Sequence, residues 1–350
     1  MQGEGRGGGD HGGAFAKGSF APVDDGMRNL AIMVCCRPGQ RMHRLTSLLA
    51  EAGHQVTRVD DGPLDLAGDG VLWVQGNANW FPVICRQLAA RPKSDRPLVV
   101  LWHTEPLPPA RVAGLPWPRL HLREVAKILL RDRRATDVYT NYFRLRRLAR
   151  QGLPDLLIAS APGRYEFLAE RNITAHWVPL GYSPSDGYDM GLPRDVDALF
   201  LGDLTIPRRR KLVRRLRRSG VDLLALGAWA DPAYWGENRT RLLNRAKIFL
   251  NLQRYPGDLA GLHLILGMAN KALVVSEPIY NPAPFIPGKH YVSAPVEAMP
   301  GIIGHYLARD DEREYVANEG HRFVTRELTM ARSVARVLEL IRAQTTGDRR

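Results

Sequence analysis

The sequence has few cysteines and no long hydrophobic run. Its 350 residues include three cysteines and no C-x-x-C pair. A disulfide framework or a structural zinc site needs more cysteines at closer spacing, so both are disfavoured. No stretch approaches the ~18 uninterrupted apolar residues of a membrane-spanning helix. These absences favour a reducing, cytoplasmic location.

The first 26 residues lack an apolar segment as well. They hold nine of the 33 glycines and no hydrophobic stretch of the kind that a signal peptide needs. We therefore expect residues 1–26 to form a disordered, glycine-rich tail.

Three familiar catalytic motifs are also missing. No G-x-G-x-x-G follows the first predicted strand of either half, and no G-x-x-x-x-G-K-[ST] or G-x-S-x-G occurs. Hydride transfer with a dinucleotide, P-loop chemistry and a hydrolase nucleophile elbow are therefore disfavoured.

Basic residues exceed acidic residues by 13, but the excess is local. Residues 123–150 contribute +6 and residues 207–218 contribute +8, so the rest of the chain is close to neutral. A protein that binds nucleic acid over its whole surface is disfavoured by this distribution. Two interpretations of the first segment remain open: it docks on an anionic membrane, at the inner face, or it forms a solvated, salt-bridged helix.

Short apolar runs alternate with amphipathic stretches in two series. This rhythm predicts α/β architecture with two doubly wound parallel sheets, covered by helices on both faces. The Gly-, Pro- and Asp-rich segment 181–195 separates them. We expect an N-terminal domain over 27–180, a C-terminal domain over 196–328, and a final helix and tail over 329–350. Ligands should bind at the carboxyl ends of the strands.

The loop 202–207 is the strongest local indication of a binding site. Gly202 follows a predicted strand, and Pro207 suits the first turn of a helix. Cations in that turn oppose the helix dipole unless an anion binds there. We therefore predict a phosphate site, against the alternative of a solvated basic face. The cations in that turn are Arg208, Arg209, Arg210 and Lys211.

Two later strands of the second series end in polar residues. Arg254 follows one strand, and Ser276 and Glu277 end another. A carboxylate there can accept a hydrogen bond from a sugar hydroxyl, although Glu277 could equally cap a nearby loop. Asp195 and Asp197 form a D-x-D pattern, but they head a strand at the end away from the cleft. A metal site is therefore disfavoured.

Loops after the first-domain strands face the same cleft. His103 and Glu105 are candidate acceptor-contacting or catalytic groups, since their side chains can take up a proton. The acceptor-side candidates in the other loops are Arg37, Gly39, Asn77 and Asn79.

The second half resembles a known family. The segments VDALFLGDLTIPRRRKLVRRL, KIFLNLQRYP, LHLILGMANKALVVSEP, FIPGKHYV and GIIGHYLARDDEREYVANEGHRFV occur in that order. Residues 196–326 thereby resemble the nucleotide-sugar-binding half of group 1 glycosyltransferases, which include spore-maturation glycosyltransferases and have two Rossmann-like domains (the GT-B fold). The resemblance implies metal-independent transfer of a sugar from a nucleoside-diphosphate sugar, without a further cofactor. It also implies donor contacts by Gly202, the basic residues 208–211, and the Ser-Glu pair at 276 and 277.

The family pattern is altered in the helix before that Ser-Glu pair. Where relatives have an arginine, a ribose-contacting glutamate and a glycine, this chain has His263, Leu266 and Lys271. Asp258 lies where relatives with paired glutamates place the first. The resemblance therefore leaves two functions open. One is an active hexosyltransferase of unknown acceptor, and the other is a degenerate binding or scaffold protein. Nucleic acid is not an expected partner, because aromatic residues are not interleaved with the basic segment 207–218.

Overall fold

A computed structural model shows two parallel β-sheets, each covered by helices on both faces. It describes residues 29–36, 40–66, 70–77, 81–112, 115–116, 122–130, 137–227 and 234–347. The expected tail over 1–26 lies outside these residues. The strands are β1 Ala31–Cys36, β2 Gln55–Arg58, β3 Val71–Gln75, β4 Leu98–His103, β5 Arg111–Val112, β6 Leu115–Pro116, β7 Leu156–Ala159, β8 His176–Trp177, β9 Val196–Leu201, β10 Leu223–Leu226, β11 Ala246–Asn251, β12 Leu273–Ser276 and β13 Val292–Ser293.

Helices alternate with these strands through both domains. They are α1 Gln40–Glu51, α2 Pro82–Ala89, α3 Leu122–Leu129, α4 Val138–Arg150, α5 Pro162–Ala169, α6 Pro207–Arg218, α7 Gly236–Arg245, α8 Gly261–Ala269, α9 Met299–Leu307, α10 Asp310–Arg322 and α11 Met330–Gly347.

The first sheet has the strand order β2-β1-β3-β4-β7-β8, and all of its pairs are parallel. The second has the order β10-β9-β11-β12-β13 and is also parallel. Each sheet separates two clusters of buried side chains. The predicted pair of doubly wound α/β domains is confirmed. Since the strand order reverses at β9, a ligand crevice should open at the carboxyl ends of β9 and its neighbours.

The basic segment 123–150, which the sequence predicts to be helical, contains parts of two helices, α3 and α4. In α3, Glu124 accepts hydrogen bonds from the backbone N–H groups of Tyr139 (2.6 Å) and Thr140 (3.1 Å). This carboxylate thereby satisfies free donors at the start of α4. An ion pair also joins the two helices, since Nζ of Lys127 in α3 lies 2.5 Å from the carboxylate of Asp137, just before α4. The periodicity of the sequence does not show this break, because a distant side chain stabilises the new helix start.

The last helix returns to the first domain. Met330, Val334, Val337 and Ile341 of α11 are buried against the first sheet, in one cluster with residues of β1 and α1. The first part of the segment 181–195 is also packed. Its Ser183 and Asp186 are buried and form a reciprocal capping box. The chain therefore crosses between the domains twice through ordered structure.

A buried ion pair joins the two domains at the cleft. Arg164 in α5 donates to both carboxylate oxygens of Asp258, from Nε and Nη2, at 2.9 Å each. Its guanidinium also donates to the carbonyl oxygens of Thr104, Glu105 and Leu259. Both charged side chains are less than a tenth exposed. Such a pair is stable because nearly every donor of the guanidinium has a partner.

A second interdomain contact lies two residues further along α5. Glu166 accepts from the hydroxyl of Tyr280 at 2.6 Å and from Nδ2 of Asn281 at 2.5 Å. The ring of Tyr280 lies so close to Gly163 that a Cβ there would stand 2.9 Å from it. Helix α5 therefore docks the first domain on the loop that follows β12.

We expect Asp258→Ala to destabilise the protein by about 3–5 kcal/mol, because it leaves the charge of Arg164 buried without its partner. Urea unfolding followed by tryptophan fluorescence measures this. The control is Glu237→Ala, which breaks the exposed i,i+4 pair with Arg241 and should cost less than about 1 kcal/mol. Equal losses for both variants would contradict the assigned role of the pair.

Candidate functional site

Two glycines bring the ends of β9 and β10 into close contact. The N–H of Gly202 donates to the carbonyl oxygen of Leu226 at 3.0 Å. Gly227 has a φ of +135°, and a Cβ there would stand 2.6 Å from the carbonyl oxygen of Gly202. Only glycine fits this backbone. Because neither glycine has a side chain, a ligand can approach the main chain at these two strand ends. We call this place the glycine edge.

Helix α6 starts beside these glycines with Arg208 in its first turn. Nη1 of Arg208 donates to the carbonyl oxygen of Gln253 at 2.6 Å and to Oε2 of Glu277 at 2.9 Å. Nη2 of the same guanidinium donates to Oε1 of Glu277. The bidentate pair fixes the planar guanidinium at the strand ends, with about a third of the side chain still exposed.

Arg209 is the buried member of the basic run. It donates from Nε to the carbonyl oxygen of Leu252 at 3.0 Å, and its guanidinium lies 5.7 Å from the ring of Phe200. Burial, and then the positive charge of Arg254, lower the pKa of Arg209 to about 10. The side chain stays charged at neutral pH, and the positive charge of Arg254 adds to the effect of its burial.

Glu277 is held by partners from both β11 and α6. Besides Arg208, its Oε2 accepts from the backbone N–H of Gln253 at 2.7 Å. Ser276 is fully buried, where it accepts from Nδ2 of Asn251 and donates to the carbonyl oxygen of Glu277. Both residues support the strand end, and Glu277 orients Arg208. Gln253, which is not among the predicted site residues, joins the same network from the end of β11.

The three other cations that were predicted to bind the donor differ from one another in their surroundings. Arg210 and Lys211 are exposed on α6. Arg254 lies over the ring of Tyr255, with its guanidinium 3.7 Å from the carboxylate of Asp137 in the first domain. The structure therefore brings Arg208, Arg209 and Arg254 together at the cleft and leaves Arg210 and Lys211 in solvent.

A partly open pocket lies beside the glycine edge. Its wall is mostly apolar, with aromatic rings at the start of α7 and residues of α8 on another side. Trp235 is 41% exposed, with the guanidinium of Arg239 lying 5.5 Å from its ring. A flat, partly apolar group bound next to an anion fits this combination. The lining residues are Leu201, Gly202, Asp203, Gly227, Tyr234, Trp235, Arg239, His263 and Leu266.

His103 ends β4 on the opposite side of the cleft. It is 2% exposed, and burial, then the charge of Arg164, lower its pKa to about 3. The ring is therefore neutral and a weak base. Nδ1 has no hydrogen-bond partner within the described part of the chain. Glu105 follows two residues later, with its carbonyl oxygen bound to Arg164 and its side chain partly exposed.

Asn77 is buried, and its Nδ2 donates to Oδ1 of Asn141 at 2.7 Å. Asn141 in turn donates to the carbonyl oxygen of Pro106. This network supports the loop after β4. The other acceptor-side candidates, Arg37, Gly39 and Asn79, lie outside the described residues.

The D-x-D carboxylates stand at the other end of β9. Asp195 pairs with Arg245 at 2.6 Å and Asp197 with Lys247 at 2.6 Å. Within the described ranges, no three His, Cys, Asp or Glu side chains come together as a possible metal-binding group. Among the described helices, none is both long and apolar enough to cross a bilayer.

Two parallel α/β domains whose strand ends face one cleft define the GT-B fold. Comparison with solved structures confirms it. Sucrose-phosphate synthase from Thermosynechococcus elongatus has a TM-score of 0.58 at 13% identity, over 91% of this chain and 100% of that one. WaaG, a glycosyltransferase involved in lipopolysaccharide biosynthesis, has 0.54 at 13% identity, over 89% and 99%. Anabaena HepE in complex with UDP and glucose has 0.53 at 11%, over 90% and 100%.

The sequence match covers most of the second domain and the first half of α11. Residues 208–339 match a family described as glycosyl transferase-like. No curated protein matches the chain. The predicted GT-B fold is confirmed by the solved structures, and the predicted resemblance to glycosyltransferases is confirmed for residues 208–339.

The buried neutral histidine His103 predicts a pH dependence of stability. An unfolded histidine binds a proton near pH 6.5, whereas folded His103 does so only near pH 3. The unfolded chain therefore binds more protons between these values, and stability falls as pH falls below about 6.5. We expect His103→Gln to reduce the slope of unfolding free energy against pH by about 1.4 kcal/mol per pH unit between pH 6 and 4.

Urea unfolding at several pH values measures this slope. The matched control is His43→Gln on the surface of α1, where the side chain is exposed, and its slope should equal that of the parent protein. An unchanged slope in His103→Gln would show that His103 is protonated in the folded protein.

Proposed function

We propose that this protein is a glycosyltransferase that uses a nucleoside-diphosphate sugar as donor. The observation that carries the proposal is the arginine-rich start of α6 beside a mostly apolar pocket, on one edge of the second sheet. The pocket suits a nucleoside, and the helix start with Arg208 and Arg209 suits a diphosphate. A relative of the same fold, HepE, is described in complex with UDP and glucose, which supports a hexose as the transferred group.

The proposed leaving group is stabilised by fixed positive charge. As the bond from the anomeric carbon to the diphosphate oxygen breaks, negative charge grows on that oxygen. Arg208, Arg209 and Arg254 already stand at the cleft. Arg208 is paired with Glu277 and Arg254 with Asp137, whereas Arg209 has no carboxylate at ion-pair distance among the described residues. Preorganised cations and free helix N–H groups lower the energy of this charge. The proposal therefore assigns the role of a metal ion to side chains, and it requires no cofactor beyond the donor.

The acceptor would bind from the side of β4. Its hydroxyl oxygen forms the new bond to the anomeric carbon, and its proton passes to a base. In an inverting reaction, Glu105 or His103 is the candidate base, and the low pKa of His103 favours Glu105. In a retaining reaction, the departing diphosphate can take the proton. The product's anomeric configuration distinguishes these routes.

Calorimetry with UDP, GDP and their sugar conjugates tests the donor site. We expect Arg208→Gln to weaken binding about ten- to a hundredfold, because a charge-assisted hydrogen bond to phosphate is lost. The matched control is Arg218→Gln, which removes the same charge about 15 Å along α6 and should change affinity less than about twofold. If the folded parent protein binds none of these ligands, the donor assignment is wrong.

A non-catalytic binding protein on the same fold is the second candidate. It is favoured by Leu266, which presents an apolar side chain to the pocket, and by Glu277, whose carboxylate is engaged by Arg208. Incubation with cell extract and nucleotide sugars, followed by mass spectrometry, separates the two. Nucleotide release together with a hexose mass added to an acceptor supports the enzyme, and binding without release supports the second candidate.

We also propose that the protein contacts an anionic membrane through its first domain. Leu129 and Leu130, at the end of α3, are 76% and 81% exposed, and they lie in the basic segment 123–150 with its balance of +6. Apolar side chains among cations are typical of interfacial helices.

We expect the double variant Leu129→Ser, Leu130→Ser to lose most binding to vesicles that contain anionic lipid, because both apolar contacts are removed. Liposome flotation measures this. Ile286→Ser, which changes an exposed residue of the second domain, is the control and should float like the parent. Equal flotation of the parent with neutral and anionic vesicles would contradict the proposal.

A further inference from the structure

His263 is a partly buried polar group of the proposed nucleotide pocket that the proposed chemistry leaves unused. It lies in the first turn of α8, and its ring lines the pocket three residues before Leu266. Its Nδ1 is buried without a hydrogen-bond partner among the described residues. A ligand in the pocket cannot reach that atom, so the nitrogen open to a ligand is Nε2. A hydrogen bond from a ligand would give this remaining ring nitrogen a partner.

The charge state of His263 limits what it can bind. Burial, then the charges of Arg209 and Arg239, lower its pKa to about 3. The ring is therefore a neutral imidazole, which donates one hydrogen bond and accepts another. Phosphate oxygens only accept, and the arginines of α6 suit them better. A hydroxyl group both donates and accepts, so it satisfies either tautomer of His263.

The neighbours of His263 place it in the middle of the pocket. Arg209, one of the charges that lower its pKa, belongs to the diphosphate end beside Gly202. Arg239, the other, lies over the ring of Trp235 at the aromatic end. In a nucleoside diphosphate, the pentose connects the phosphates to the base. Its hydroxyls would therefore reach His263.

We propose that His263 is the specificity residue that hydrogen-bonds a pentose hydroxyl of the bound nucleotide. The inference rests on the proposed donor site. The contact makes the protein selective for nucleotides that carry the bound pentose hydroxyl, through a neutral side chain of α8 beside a leucine. His263 positions the nucleoside and has no role in breaking the glycosidic bond.

Calorimetry with UDP and GDP and their 2′-deoxy and 3′-deoxy analogues tests the proposal. For the parent protein, removing the contacted hydroxyl should weaken binding about three- to tenfold. In His263→Phe, which keeps a ring against Phe249, the ribonucleotide should bind as weakly as the deoxy analogue. His263→Asn, which can still donate and accept, should retain part of the discrimination. His43→Phe is the control and should match the parent.

Three results would overturn the inference. Equal affinity of the parent for ribose and both deoxy forms would show that no hydroxyl is recognised. If His263→Phe still distinguished the ribose forms from the deoxy forms, the recognition of the hydroxyl would belong to another residue. A loss in His263→Phe that is equal for all analogues would indicate a contact with base or phosphate. Absence of any nucleotide binding by the folded parent is a different result, since it overturns the donor site itself and this inference with it.

Discussion

The buried pair of Arg164 and Asp258 is the interaction on which the geometry of the cleft depends. It joins the loop after β11 to the start of α5, and so it sets how the strand ends of one sheet face those of the other. The same guanidinium holds the carbonyl oxygens that follow His103 and helps to keep that ring neutral. Removing two charges from water is unfavourable unless their remaining hydrogen bonds are made. Here the carbonyl oxygens of both domains make them.

Charge pairing within the cleft then determines which positive charges remain available to a ligand. Glu277 neutralises Arg208, and Asp258 neutralises Arg164. Arg209 has a carbonyl partner but no carboxylate at ion-pair distance among the described residues. The site is therefore built with surplus positive charge at the start of α6, where the helix dipole adds to it. This surplus is what gives the proposed diphosphate its binding energy, and the carboxylates position the arginines that supply it.

Local patterns predicted the parts of the protein that depend on local interactions. Apolar runs bounded by turn residues located β9, β11 and β12, and the glycine after β9 lies, as predicted, at the strand ends and beside the pocket. They did not separate Arg208 and Arg209, which face the protein, from Arg210 and Lys211, which face solvent, because that depends on how α6 packs. The pairing of Arg164 with Asp258 spans 94 residues and has no local indication. The return of α11 to the first domain likewise has no local indication, because it depends on which apolar face of the first sheet the other helices leave uncovered.

The altered α8 is compatible with the proposed donor site. Leu266 turns one side of the pocket apolar, and a carboxylate placed there instead would face the positive potential of Arg209 and Arg239. His263, one turn earlier, offers a neutral hydrogen-bonding ring in the same potential. With Glu277 committed to Arg208, the polar contacts that remain in the pocket are few, and each would carry more of the recognition. The proposed donor pocket would therefore select its ligand by shape and by single hydrogen bonds, whereas the proposed diphosphate end would supply the strength of binding.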